Sequence, residues 1–71
     1  MKLKINSMYK ISEGAYLIPR SHLSKNKAGN YAVFEKLIVE ENGHYVKQHI
    51  TLSIKEIKKE FDLGTEGVTI L

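Results

Sequence analysis

Tyr31-Ala32-Val33-Phe34-Glu35-Lys36-Leu37-Ile38-Val39-Glu40, then Glu41-Asn42-Gly43, then His44-Tyr45-Val46-Lys47-Gln48-His49-Ile50-Thr51-Leu52 is the stretch that decides the fold. Both flanks are rich in β-branched and aromatic residues. Asn-Gly between them is the favoured two-residue hairpin turn, because a type I′ turn needs positive φ at both central positions. That turn pairs Glu41 with His44, which sets Val39 opposite Val46, Leu37 opposite Gln48, Glu35 opposite Ile50 and Val33 opposite Leu52. With Tyr31 and Ile54 added, this face holds eight apolar residues and two polar ones, so it is expected to look inward. Glu35 interrupts the pattern, and a bulge beside it would let Phe34 turn into the core. The opposite face, with Lys36, Tyr45, Lys47 and His49 around Ile38, is expected to meet solvent.

Working outward, Met8–Ser12 and Ala15–Pro19 read as two shorter strands around Glu13-Gly14, with Pro19 marking a strand end or edge. Leu3 and Ile5 alternate with Lys2 and Lys4, the pattern of a half-buried strand. Residues 20–30 have no period and rich turn chemistry, and read as a long basic loop. After the hairpin, Ser53-Ile54-Lys55-Glu56 is a capping box. A short helix should follow with Ile54, Ile57 and Phe61 on one side and Gly64 ending it. Val68–Leu71 reads as a closing strand entered through Gly67. These elements predict one mainly β domain over residues 1–71. Its expected form is a small SH3-like, partly open barrel of about five strands with one short helix before the last strand. An OB-like barrel is the alternative, although that fold commonly carries its helix between its third and fourth strands.

Length and composition narrow the function classes. Seventy-one residues leave no room for separate catalytic and recognition domains, and a chain this small hides only about 60% of its extended surface on folding. Absence of cysteine removes disulfides, thiolate metal sites and cysteine nucleophiles, which fits a cytoplasmic setting. No stretch approaches the roughly 20 apolar residues of a membrane span. The net charge of +3 conceals an asymmetry: residues 1–30 set six basic residues against Glu13 alone, while residues 31–71 set five against seven acidic ones. A basic half of this kind attracts phosphate or an acidic protein surface, the other explanation being a charged surface that keeps the chain in solution.

Chain length, the opening Tyr9-Lys10-Ile11-Ser12-Glu13-Gly14-Ala15-Tyr16-Leu17-Ile18 and the Asn42-Gly43 hairpin resemble the YorP-like small proteins of a Bacillus temperate phage. The resemblance covers the whole chain and implies a compact β-rich fold of SH3-like type and a phage origin. It carries no catalytic or ligand-binding motif.

Enzymatic chemistry is not expected. His44 and His49 point to opposite faces of a strand and cannot chelate one ion together, the serines lack a nucleophile-elbow context, and the scattered glycines form no phosphate loop. Neither metal nor cofactor is implied. Proline-peptide recognition is not expected either, because the chain has no tryptophan and its tyrosines lie in separate segments. Binding is the remaining class. Arg20, Lys25, Lys27 and Asn30 of the basic loop are the first candidates for nucleic-acid contact. Lys36, Tyr45, Lys47 and His49 form a secondary surface. The alternative is a protein-interaction module acting on a phage or host complex, by edge-strand pairing or an apolar patch.

Overall fold

The computed structural model describes all 71 residues, Met1–Leu71. In chain order its elements are β1 (Lys2–Leu3), β2 (Tyr9–Ser12), β3 (Ala15–Pro19), β4 (Ser24–Asn26), β5 (Gly29–Val39), β6 (Tyr45–Ser53), α1 (Ile54–Phe61) and β7 (Thr69–Ile70). The hairpin is present, but its turn is one residue longer than expected. Gly43 sits at φ +86°, whereas Asn42 has no positive φ. Gly43 N–H donates to the Glu40 carbonyl at 3.0 Å, and Glu40 N–H donates to His44 O at 2.7 Å. The loop is therefore Glu41–Gly43, a turn finished by a left-handed glycine. Asn42 favours this form with its side chain, since Oδ1 accepts from His44 N–H at 3.0 Å.

One residue in the turn shifts the register and turns β5 over, while β6 keeps its expected inward set. Val39 pairs with Tyr45, Leu37 with Lys47, Glu35 with His49, Phe34 with Ile50 and Ala32 with Leu52. The expected inward set of Val33, Glu35, Leu37 and Val39 consequently faces out. Ala32, Phe34 and Leu52 face in and are buried. Phe34 reaches the core by register alone, with no bulge beside Glu35.

β5 is long enough to hold three neighbours. β3 pairs along Phe34–Ile38 and β4 along Gly29–Tyr31 on one side, with β6 along the other. β2 extends the sheet beyond β3, and its register shifts between Lys10 and Ser12. The result is a curled five-stranded half-barrel, which agrees with the partly open barrel read from the sequence. Its concave side is closed by α1 and by a parallel pairing of β1 with β7, Lys2 to Thr69 and Leu3 to Ile70. Leu3, Leu17, Ala32, Phe34, Leu52, Ile57 and Ile70 make the core. Burying Phe34 completely contributes about 1.5–3 kcal/mol.

The capping box forms as expected: Ser53 Oγ accepts from Glu56 N–H at 3.2 Å, and Glu56 Oε1 accepts from Ser53 N–H at 3.1 Å. Those bonds to Ser53 hold the Glu56 carboxyl below its usual range. The helix delivers Ile57 to the core and ends at Asp62 in the left-handed conformation rather than at Gly64, which adopts a positive φ two residues later.

Residues 20–30 are not one long loop. They contain β4, which turns through Lys27 and Ala28 into β5, with Asn26 Oδ1 accepting from Ala28 N–H at 2.8 Å. A backbone bond from Arg20 N–H to Val33 O, at 2.8 Å, extends the β3 pairing past Pro19.

Candidate functional site

The exchange of faces assembles the site. On the convex side of the sheet, strand pairing lines up Lys10, Tyr16, Leu37 and Lys47 in one row and Ile18, Glu35 and His49 in the next. Arg20 follows Ile18 along the same face, beside Val33. Glu35 is the centre of this surface. Only 5% of it is exposed, although it faces away from the core. The covering groups are polar: Arg20 Nη2 lies 3.2 Å from Oε2, His49 Nε2 3.5 Å from Oε2 and Lys47 Nζ 3.7 Å from Oε1.

A carboxylate withdrawn from water needs partners to stay charged. Burial raises the Glu35 pKa, but the Arg20 hydrogen bond and charge, then the charges of Lys47 and His49, outweigh it and hold the carboxyl below its ordinary range. Arg20 is positioned from two sides. Its Nη1 donates to Asn6 Oδ1 at 2.6 Å while Nη2 donates to Glu35, and Asn6 holds its place at φ +68° with its N–H on Pro19 O. Lys47 stands 5.6 Å from the centre of the Tyr45 ring, with its ammonium toward the π face. Glu35 Oε1 receives no hydrogen bond, because Lys47 approaches it by charge alone.

The candidates read from the sequence divide between the two sides. Arg20 joins the convex cluster and is committed there to Glu35. Lys25 pairs with Asn30, whose position on β5 shares the parity of Ala32 and Phe34, so both belong to the opposite side of the sheet. Lys27 is exposed at the hairpin turn. Asn30 borders a shallow hollow with Asn26, Tyr31, Thr51 and Glu56. The structure thus does not bring Arg20, Lys25, Lys27 and Asn30 into one patch. Of the secondary set, Tyr45, Lys47 and His49 share the convex face, while Lys36, opposite Leu17, lies on the concave side. The one-residue change of register separates them.

No family model, curated protein or solved structure matches the chain.

Glu35 was the residue missed by the sequence reading. The signal was present: a glutamate in an otherwise apolar inward set marks that set as the outward one. The remaining histidines stand apart from the cluster, His22 with Nδ1 3.0 Å from Ile70 O and His44 beside the hairpin turn. No three metal-ligating side chains gather anywhere in the molecule. No helix is long and apolar enough to cross a membrane.

Proposed function

We propose that this chain is a small binding protein that holds single-stranded nucleic acid weakly and without sequence preference on its convex sheet face. The observation that carries this reading is the interleaving of cationic and aromatic side chains on that face, where Arg20, Lys47 and His49 stand with Tyr16 and Tyr45. Cations can take phosphate contacts while exposed rings offer stacking surfaces that every base can use. Tyr45 is 60% exposed and suits that role. Lys10 adds a charge at the edge of the face, where its bond to Glu13 keeps the ammonium above its ordinary pKa. Lys25, Lys27 and Asn30, at the β4–β5 hairpin, contribute attraction from the side. A phage accessory role, as the resemblance to YorP-like proteins implies, fits a protein of this size that binds and does no chemistry of its own.

The test is a fluorescence titration of a labelled oligothymidine at several salt concentrations. Affinity of about 10⁻⁴ to 10⁻⁶ M near physiological salt is expected, with a log-log salt slope near −0.7 for each phosphate neutralised. Binding that ignores salt would refute the reading.

A second reading is favoured by β6, which pairs with β5 along one edge only. Nine residues of strand edge, with Tyr45 and Val46 exposed near the tip, suit pairing with an extended segment of a partner protein. Lys47 and His49 would select an acidic segment. Chemical-shift changes confined to β6 on adding an acidic peptide, with none on adding oligonucleotide, would favour this alternative.

A further inference from the structure

The cations around Glu35 differ in depth and in how far their donors are already used. Glu35 lies at the floor, its side chain 7% exposed, while Arg20, Lys47 and His49 rise above it with side chains 37%, 53% and 73% exposed. A ligand arriving from solvent therefore meets donors before it meets the carboxylate. Lys47 and His49 donate no hydrogen bond to any protein group. They are held by charge and, for Lys47, by the Tyr45 ring. Arg20 uses one arm on Asn6 and one on Glu35, leaving further N–H groups of its five-donor fork. Because Arg20 Nη2 and His49 Nε2 approach the same oxygen, they lie within about 7 Å of each other. Two charge-assisted hydrogen bonds of about 2.8 Å and the width of one phosphate group close a gap of that size. Glu35 offsets one of the positive charges, so Arg20 and Lys47 leave a net charge of one.

We infer that Arg20, Lys47 and His49 form a discrete seat for one phosphodiester group above Glu35, with the Tyr45 ring taking an adjoining base. Glu35 is a positioning residue: it gathers cations that would otherwise repel one another and keeps their free donors outward. The inference rests on the nucleic-acid reading and assigns that binding a fixed place on the sheet. The charged groups facing His49 are Glu35 on β5, Lys47 on its own strand and Arg20 beyond β3.

The experiment is an NMR amide titration with oligothymidine at constant low salt. Wild type is compared with Lys47→Gln/His49→Gln and with Lys55→Gln/Lys59→Gln, which removes two lysine charges, one more than the first variant, from exposed positions on the helix. Shifts at residues 20, 45, 47 and 49 are expected. The β6 variant should lose about tenfold in affinity, and the helix variant less than about threefold. Oligonucleotide binding mapped to Lys25 and Lys27 instead, with residues 20, 47 and 49 unmoved, would overturn the seat and leave the nucleic-acid reading standing. Absence of oligonucleotide binding would overturn both. Equal losses in the two double variants would show long-range attraction only and also overturn the seat.

Discussion

Phe34 and Glu35 are neighbours on β5, both almost fully buried, and they are buried by opposite means. Phe34 faces the concave side, where Leu3, Leu17, Leu52, Ile57 and Ile70 surround it. Glu35 faces the convex side, where Arg20, Lys47 and His49 reach over it. Apolar burial is nearly indifferent to pH and salt, whereas the convex arrangement exists only while its charges do. A half-barrel thus keeps its stability on one surface and a titratable, charge-ordered structure on the other.

The largest effect expected from breaking this contrast comes from the concave side. Phe34→Ala should cost about 3–5 kcal/mol in urea unfolding, enough to leave a 71-residue domain largely unfolded. A loss below about 1 kcal/mol would mean that the concave core is poorly packed. Gly43→Val comes next, because a β-branched residue resists the +86° φ on which the register, and hence both faces, depends. About 1–2 kcal/mol is expected in the same assay, with no steric component since open space surrounds that position. An unchanged midpoint would show that the three-residue turn does not set the register. Ser53→Ala should cost roughly 0.5–2 kcal/mol and speed amide exchange at residues 55–57. Exchange rates that stay at wild-type values would rule out the cap.

The smallest effect at neutral pH, and the one that sharpens the comparison most, belongs to Glu35→Gln, because its cationic partners are well exposed and their attraction is screened. Its folded-state pKa is lowered, so the stability it contributes is fully present above the unfolded-state value and is lost as pH falls through the folded-state one. The gap in Tm between wild type and Glu35→Gln should hold steady above about pH 6 and shrink on acidification toward pH 3. A gap independent of pH would place Glu35 among residues that matter only for packing.

Elements with local causes were legible in the sequence. The Ser53–Glu56 capping box, the Ile54–Phe61 stripe, Pro19 at a strand end and the existence of the central hairpin all depend on residues a few positions apart. What escaped depends on distant partners or on two close turn geometries. Asn42-Gly43 serves both a two-residue and a three-residue loop, and the choice is made by the Asn42 side chain bonding to His44 N–H. The convex cluster was hidden for the same reason, since Arg20, Glu35, Lys47 and His49 come together only in the longer loop's register. Ser24–Asn26 shows no apolar alternation, all three residues being exposed, so β4 left no pattern to read.

The parallel contact between Leu3 and Ile70 joins positions separated by almost the whole chain, and it is only two residue pairs long. Contacts of such sequence separation must bear the entropy of closing a long loop before they return anything, which places them late in folding. A growing polypeptide can form the β5–β6 hairpin and its charged convex surface while the concave core still lacks Ile70. The charged convex surface therefore does not wait for the bolt that secures the interior. Amide exchange at Thr69 and Leu71, whose N–H groups bond to Met1 O and Leu3 O, reports on that bolt separately from the sheet.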